Sequence, residues 1–391
     1  MSSTPMRQQV AAAPCPSYRD APALRAALEK VLAPQLAASG SLAGRSVMLK
    51  PNLLAWRKPE DPACVHPAFL LESVKLFLDA GAKVAILENP AVQTAPAVLR
   101  AMGLEDELKH LGVKAASFTE FAPVKADDRM RFHQLEIARE FQDFDFVADL
   151  AKAKTHGMMT LTLCVKNLFG LIKGSDRLAW HLNVGRDFAR FADMLLDIYL
   201  AVRPQFNLVD AVTCMEGNGP GSGTPAERGW IFGGTDALAL DAWVGPLLLG
   251  ADAPELLLLR NARERGLLLP FEVAGEMTPR IDPLELPPPP GLLCEWGVPL
   301  PFGLKKHLRE WMVARPVVDE KRCVGCGICA RLCPPASLKI VKGKAHFHYP
   351  ECIRCFCCQE HCPKGAITIR KGFLMGTLER LEHLVRRIAS R

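Results

Sequence analysis

Apolar residues recur with two different periods over residues 1–285. Apolar positions three and four residues apart predict amphipathic helices over 21–36, 69–80, 97–111 (one helix or two short ones), 186–202, 236–249 and 253–265. Short runs rich in β-branched and aromatic residues predict strands over 46–50, 83–88, 113–118, 131–137, 144–150 and 206–212. Strands that alternate with helices are typical of an α/β domain, so we expect a mostly parallel sheet with flanking helices.

Two copies of one cysteine pattern lie near the C-terminus. In each copy, three cysteines are spaced three residues apart, and a fourth follows four residues later, directly before a proline. In this pattern three thiolates hold one [4Fe-4S] cluster and the fourth ligates the other cluster. We therefore predict two clusters. The first is held by Cys323, Cys326, Cys329 and Cys362, and the second by Cys352, Cys355, Cys358 and Cys333. Structural zinc is the alternative, although it usually takes two separated pairs of cysteine or histidine ligands.

Residues 316–370 resemble the bacterial two-cluster ferredoxin family. A β-prone run follows each fourth cysteine, at 337–341 and 366–369, so each half is expected to be a loop, a helical turn and a strand. The resemblance implies a small α+β domain that transfers one electron at a time at low potential. It also implies a redox partner protein or another low-potential electron donor.

A run of prolines helps to divide the 391-residue chain. We predict an α/β domain over 1–285 and a proline-rich linker with a connecting segment over 286–314. A two-cluster domain follows over 315–370, and a basic amphipathic helix over 371–391. We expect this helix to dock on the chain's own core, with contact to a partner or a membrane surface as the alternative.

Composition and charge narrow the classes of function. No apolar stretch reaches the roughly 18 residues of a membrane-spanning helix, and the N-terminus lacks a secretory pattern, so we predict a cytoplasmic protein without a transmembrane segment. From Arg315 onward, 15 Lys and Arg stand against 6 Asp and Glu. This surplus would offset the negative charge of the clusters. Basic and aromatic residues are not interleaved, so no nucleic-acid partner is expected.

Polar residues concentrate where the predicted strands end, the edge at which open α/β sheets bind ligands. Lysines and histidines on glycine-rich segments suit an anion, whereas singly each is more often a surface or structural residue. The candidate substrate-binding residues are Lys50, Asn52, Lys154, Asn167, Lys173, Glu216 and Asn218. The candidate catalytic residues are His156, His181 and Lys166. Neither a phosphate-binding Walker loop nor a dinucleotide-binding glycine fingerprint is present.

Several motifs resemble the domain-of-unknown-function family 362 over about residues 45–250. They are Lys50-Pro51-Asn52, Lys154-Thr155-His156, Lys166-Asn167-Leu168-Phe169-Gly170, Asp210-Ala211, Glu216-Gly217-Asn218-Gly219-Pro220 and Asp236-Ala237-Leu238-Ala239-Leu240-Asp241. Members of that family often carry a C-terminal two-cluster ferredoxin module, as this chain does. The resemblance implies an iron–sulfur protein whose motif residues line a cleft, and it names no substrate.

Three functions are compatible with these features, and we favour an oxidoreductase. In a ferredoxin-coupled reductase, Lys154, Lys166 and Lys173 would clamp a small anionic substrate, while His156 or His181 would supply protons. Asp210, Glu216, Asp241 and Asn218 would orient those groups or hold a metal. In a non-catalytic electron carrier or adaptor, the first domain would dock a partner oxidoreductase. In a non-redox enzyme, the clusters would be structural or sensory.

Overall fold

The computed structural model describes most of both predicted domains. The described residues are 8–54, 61–90, 93–124, 127–132, 135–173, 188–250, 252–275, 279–287, 315–333, 336–349, 351–352 and 356–370. Most of the predicted linker over 286–314 and the whole predicted helix over 371–391 lie outside these ranges, so the domain boundaries stay a prediction. No helix that the structure describes is long and apolar enough to cross a membrane.

The N-terminal part is built on one large mixed sheet with a separate two-stranded hairpin. The strands in chain order are β1 Gln8–Pro14, β2 Ser46–Pro51, β3 Lys83–Leu87, β4 Lys114–Ala116, β5 Phe121–Pro123, β6 Glu136–Ala138, β7 Phe146–His156, β8 Thr160–Thr162, β9 Phe206–Glu216, β10 Thr224–Gly234 and β11 Phe271–Ala274. The order in the large sheet is β11-β1-β10-β9-β7-β2-β3-β4, with β8 paired to β7 and with β5 and β6 forming the hairpin. The ladders from β9 through β7, β2 and β3 to β4 are parallel, which confirms the predicted fold class.

Helices cover both faces of the sheet. They are α1 Ala21–Ser39, α2 Pro67–Asp79, α3 Ala95–Ala101, α4 Glu105–His110, α5 Cys164–Asn167, α6 Phe188–Val202, α7 Ala237–Leu249 and α8 Leu257–Glu264. Residues of α1 to α4 pack in one hydrophobic core, and those of α5 to α8 pack in the other. Local sequence sets the helix starts, as at α1, where the Asp20 carboxylate accepts a hydrogen bond from the Ala23 amide. The predicted helix over 97–111 is two short helices, α3 and α4.

The strand predicted over 131–137 is wrong for most of its length. Only Glu136–Ala138 is a strand, and it pairs with Phe121–Pro123 outside the large sheet. The reason lies in α6, where the Asp197 carboxylate accepts the backbone N–H groups of Arg131 and Phe132, both at 2.8 Å. Amides that bond to a side chain are not available to a strand ladder, so the apolar pattern here does not produce a sheet strand.

Two central strands run farther than their apolar patterns predicted. The strand predicted to end at 150 continues to His156, and the one predicted to end at 212 continues to Glu216. Lys152 of β7 is the register partner of Asp210 of β9, and their side chains form a buried ion pair at 2.8 Å. Because Asp210 compensates the charge of Lys152, the sheet continues through Lys152, which lies beyond the predicted end of β7.

The C-terminal module repeats one small unit. Its elements are β12 Arg315–Val318, α9 Ile328–Arg331, β13 Leu338–Val341, β14 Lys344–Phe347, α10 Cys357–Glu360 and β15 Ile367–Arg370. The strands pair as β12 with β15 and β13 with β14, both antiparallel. Gly327 in the first copy and Phe356 in the second occupy equivalent positions and share the left-handed conformation, with φ of 75° and 59°. The repeat in sequence is therefore a repeat in backbone conformation.

Candidate functional site

A small cavity joins the large sheet to the C-terminal module. Its volume is about 70 Å³, and its walls come from the ends of β2 and β7, from β8, from the α5 region and from the module. The lining residues are Asn52, Leu53, Leu54, Glu88, Asn89, Lys154, His156, Thr162, Lys166, Asn167, Phe169, Gly170, Pro220 and His361. We call this space the interdomain cavity. It brings together five of the predicted site residues, and the lining adds Thr162 and His361, which sequence analysis did not select.

Lys154 is the most deeply buried cation of the cavity wall. Its side chain extends from β7 and is 1% exposed, and its ammonium donates to the Asn52 Oδ1 at 2.7 Å and the Ala63 carbonyl oxygen at 2.8 Å. Burial lowers the pKa of Lys154 to about 7, Cys64 partly opposes this shift, and Lys166 adds to it. Lys154 is thus poised to gain or lose a proton near neutral pH.

His156 and Lys166 lie on two other sides of the cavity. The His156 Nδ1 accepts the backbone N–H groups of Met158 at 3.0 Å and Met159 at 3.2 Å, so the ring proton resides on Nε2. The Lys166 ammonium lies over the ring of Phe169, 4.5 Å from its centroid, and 5.6 Å from the centroid of Phe191. The electrons of an aromatic face attract a cation, so the two rings hold the Lys166 ammonium beside the cavity.

A chain of amides holds this wall in place. The Asn52 Nδ2 donates to the Asn167 Oδ1 at 2.8 Å, and the Asn167 Nδ2 donates to the Asp149 Oδ1 at 2.7 Å. Burial raises the pKa of Asp149 to about 7, with Lys50 partly opposing the shift. The hydrogen bonds orient the Asn52 oxygen towards Lys154, so the asparagines position the lysine as well as lining the cavity.

Lys50 forms an ion pair beside the cavity and is not one of its lining residues. Its ammonium is 2.5 Å from the Glu88 Oε2 and donates to the Asn167 carbonyl oxygen at 2.7 Å, and both charged side chains are almost fully buried. Gly170 packs on this pair, and a Cβ added at Gly170 would lie 2.2 Å from the Glu88 Oε1. The family motif residues Lys50 and Gly170 therefore meet at a structural ion pair, and the substrate-binding role of Lys50 stays a prediction.

The other predicted site residues lie elsewhere. Lys173 is exposed, and the Glu216 carboxylate pairs with Arg228 at 2.9 Å. The Asn218 carbonyl oxygen accepts a hydrogen bond from the Gln359 side chain of the C-terminal module. His181 lies outside the described residues. The roles predicted for these four residues remain predictions.

A second, larger cavity of about 600 Å³ opens beside the loop that precedes α2. At its base the Asp210 carboxylate accepts hydrogen bonds from the Tyr18 hydroxyl at 2.6 Å and from Lys152 at 2.8 Å. The His66 ring stacks on Tyr18 with centroids 3.7 Å apart. Burial lowers the pKa of His66 to about 4, an effect that Asp210 partly opposes. Lys152 also donates to the Tyr18 hydroxyl at 2.9 Å, so Asp210, Lys152 and Tyr18 form one network between β7 and β9.

The C-terminal module contacts the large sheet directly at the cavity. Phe356 and Ile369 are buried together, and a Cβ added at Gly157 of the large domain would lie 3.3 Å from Ile369 and 3.9 Å from Phe356. Gly219 packs still more closely, since a Cβ there would lie 2.0 Å from the Thr155 carbonyl oxygen. Glycines at these two places let the module and the loop after β9 approach the end of β7.

The cysteines of the C-terminal module fit an iron–sulfur cluster. Cys329 and Cys362 are buried in one cluster, and Cys323 packs against it. Burial raises the pKa of Cys329 to about 11, and the thiols of Cys362, Cys326 and Cys323 add to the rise. These four cysteines are the set predicted for the first cluster. Among the described side chains, no three His, Cys, Asp or Glu converge closely enough to hold a single metal ion. In a cubane each iron takes its own thiolate, so the sulfurs stand farther apart than around one ion.

The second predicted ligand set is described in part. Cys333, Cys352 and Cys358 are among the described residues, and Cys355 is outside them. The Cys333 thiol and the Ser337 hydroxyl are 3.3 Å apart, which places a polar group beside that sulfur. The Ala366 amide donates to the Cys362 sulfur at 3.2 Å. Such contacts to sulfur are one of the ways in which a protein tunes a cluster.

The chain is similar to known proteins over both of its parts. Residues 47–245 match the family described as "Domain of unknown function (DUF362)", and residues 315–363 match a "4Fe-4S dicluster domain". A curated protein of Synechocystis sp., "Thylakoid-associated protein sll1697", is 34% identical over 294 residues, which are 74% of this chain and 89% of that protein. Among solved structures, the lactate racemase apoprotein from Thermoanaerobacterium thermosaccharolyticum aligns with a TM-score of 0.38 and 13% identity, over 56% of this chain and 53% of that chain. The two resemblances expected from the motifs are confirmed.

Proposed function

Because the chain belongs to the domain-of-unknown-function family DUF362 and carries a 4Fe-4S dicluster domain, we propose that it is an iron–sulfur reductase whose substrate is an anion bound in the interdomain cavity. The 4Fe-4S domain supports a role in electron transfer. The reductase proposal adds a destination for the electrons within the same chain.

One observation carries this proposal. His361 of the C-terminal module lines the same cavity as Lys154, His156 and Lys166 of the large domain, and His361 directly precedes Cys362, a predicted cluster ligand. A molecule bound in the cavity would therefore touch both the cationic wall and the segment that carries a cluster thiolate. A carrier that only docks to other proteins needs no such juxtaposition.

We propose two [4Fe-4S] clusters, on the ligand sets given above. When bound, they supply single electrons at low potential. The chain's own residues would do the rest. Lys154 and Lys166 would hold the anion by charge, and His156 would donate a hydrogen bond or a proton from Nε2. Asn52 and Asn167 would keep Lys154 aimed at the cavity.

A redox partner would meet an exposed face of the C-terminal module. There Val324 is 60% exposed and the predicted ligand Cys326 is also exposed. Exposed basic residues flank them, namely Lys321, Arg322, Arg331 and Lys342. An acidic donor protein would be guided to such a face. Electrons would enter at this face and leave at His361.

The same exposed basic face supports a second function, a non-catalytic electron carrier or adaptor. In that case the interdomain cavity would bind an anion for regulation.

We propose a cytoplasmic location for either function. A membrane-bound partner is the alternative suggested by the thylakoid-associated relative, and cell fractionation decides between the two locations.

The test is reoxidation of the reduced protein. The holoprotein is reduced anaerobically with dithionite, freed of excess reductant and mixed with single small anions, while EPR and absorbance follow the clusters. We expect one anion to reoxidise the wild type, and Lys154→Met to slow that reaction at least tenfold. Lys30→Met, which removes an exposed lysine of α1, should react like the wild type.

Two results would contradict the reductase. Clusters that stay reduced with every anion, and that only a partner protein discharges, would establish the carrier. If Lys154→Met protein reacts as fast as the wild type, the reaction does not take place in the interdomain cavity. Iron and sulfide analysis of each variant shows that its clusters are intact.

A further inference from the structure

The volume of the interdomain cavity limits what it can hold. At about 70 Å³, it is well below the roughly 300–1,000 Å³ of sites for drug-sized ligands. By the same measure, about 15 Å³ is enough for one water molecule. The cavity therefore has room for up to about five non-hydrogen atoms.

The charged residues of the cavity wall indicate the sign of the ligand's charge. Lys154 and Lys166 contribute positive charge. Glu88 is the one carboxylate among the described lining residues, and its charge is compensated by Lys50 at 2.5 Å, while its Oε1 accepts the Asn89 amide at 2.7 Å. Beyond the Lys50–Glu88 pair, the charged side chains that line the cavity are two lysines, which favours an anion over a cation.

The hydrogen-bond donors of the cavity wall favour a ligand with acceptor oxygens. An ammonium has three N–H bonds, and two of those of Lys154 are used by Asn52 and Ala63. Thr162 is 4% exposed, and its hydroxyl has no hydrogen-bond partner among the described residues. A buried hydroxyl without a partner is costly and calls for an explanation. An acceptor oxygen in the cavity would satisfy it.

We propose, building on the reductase function, that the substrate is a small oxyanion of up to about five non-hydrogen atoms, bound whole inside the cavity. Its chemistry is a compact negative group with at least two acceptor oxygens. Inorganic oxyanions and carboxylates of one or two carbons share this chemistry. Lys154, Lys166 and the Thr162 hydroxyl are the groups that recognise it.

The experiment measures binding to the oxidised holoprotein, where no turnover occurs. Titration calorimetry compares nitrite and sulfite with formate and acetate, and then with the larger succinate and citrate. We expect at least one of the four small anions to bind and the two larger ones to bind at least tenfold more weakly. Comparing nitrite and sulfite with formate and acetate shows whether the cavity prefers an inorganic oxyanion or a carboxylate. Succinate or citrate binding as tightly as the best small anion would overturn the proposal, as would no binding by any small anion.

Two variants locate the site. Thr162→Val keeps the side-chain volume and removes the hydroxyl, so binding should weaken roughly 10- to 150-fold, the value of one hydrogen bond to a charged group. Lys154→Met should weaken it further. Thr213→Val, the same replacement on β9 outside the interdomain cavity, should bind like the wild type. Unchanged binding in both Thr162→Val and Lys154→Met would place the anion elsewhere, and circular dichroism shows that each variant is folded.

The size class and the reductase function fail in different ways. If small anions bind as predicted but never reoxidise the clusters, the proposed ligand size is supported and the reductase function is contradicted. If a large molecule reoxidises the clusters and no small anion binds, the reductase function is supported and the proposed ligand size is contradicted.

Discussion

Three lysines on neighbouring strands illustrate how burial sets the chemistry of one residue type. Lys50, Lys152 and Lys154 are each at most 1% exposed. The ammonium groups of Lys50 and Lys152 face the carboxylates of Glu88 and Asp210, whereas that of Lys154 donates only to neutral oxygens in the hydrogen bonds described above. The missing carboxylate leaves the desolvation cost of Lys154 uncompensated, and its pKa falls to about 7.

Anion binding at the interdomain cavity should therefore weaken as pH rises through about 7. Below this pH Lys154 is charged and attracts the anion, and above it the neutral amine does not. If only the charged form binds, affinity falls up to about tenfold per pH unit above the pKa. Calorimetry between about pH 6 and 8.5 measures the slope, and buffers with different ionisation enthalpies detect the proton taken up at alkaline pH.

Lys154→Met is the control for that pH dependence. Its residual binding should lose the part of the slope that Lys154 causes. A wild-type affinity that stays flat over this pH range would show that Lys154 does not change its charge when the anion binds.

At the scale of elements, α5 carries two residues of the cavity wall and is only one turn long. Its first amides, those of Cys164 and Val165, donate to the two carboxylate oxygens of Asp241, both at 2.9 Å. Asp241 belongs to α7, far along the chain, so a tertiary contact caps the helix that presents Lys166 and Asn167. A four-residue helix is not stable alone, and this contact holds it in place.

Asp241→Ala should lower the free energy of unfolding by roughly 2–4 kcal/mol, because it leaves two buried N–H groups without acceptors. Asp241→Asn should lower the free energy of unfolding by less, since the side-chain amide oxygen still accepts one of these two N–H groups. Urea denaturation measures both, and Asp106→Ala, which removes an exposed aspartate of α4, is the matched control. Asp241→Ala protein as stable as the control would show that the cap is dispensable.

Strand ends were harder to predict than strands. Apolar runs indicated β7 and β9 correctly, but their polar last residues looked like loop. Lys152 continues β7 past its predicted end because Asp210 of β9 neutralises it across the ladder. The failure over 131–137 has a similar cause, because Asp197 takes the amides of Arg131 and Phe132. In both places a partner distant in sequence outweighs the local pattern.

For the whole molecule, the hydrophobic cores separate into those of the large sheet and that of the C-terminal module. The contacts described between them are few, such as Gln359 with Asn218 and Phe356 beside Gly157. We therefore expect the two parts to keep separate stabilities while sharing the interdomain cavity.

Cys326→Ser should roughly halve the iron content, because it removes a ligand of one of the two proposed clusters. The large domain should stay folded, with its free energy of unfolding unchanged within about 0.5 kcal/mol. Metal analysis measures iron, and the fluorescence of tryptophans such as Trp230 and Trp243 follows the large domain.

Val324→Ala, next to the same exposed face, should retain all its iron and serves as the control. Equal iron in Cys326→Ser and the wild type would contradict the ligand assignment. Unfolding of the large domain in Cys326→Ser would contradict the separation of the two parts.

Local information was enough for the cysteine spacing, the repeated unit of the C-terminal module, the start of α1 and the family motifs, because ligand spacing, helical period and a local cap act over a few residues. The position of each ionisable group in a network required the folded chain. Lys50 and Lys154 look alike in sequence, yet one is neutralised by Glu88 and the other is left beside an open cavity. Thr162 and His361 join that cavity only when β8 and the C-terminal module pack against the end of β7. Charge compensation and burial depend on neighbours in space, and those neighbours come from distant parts of the chain.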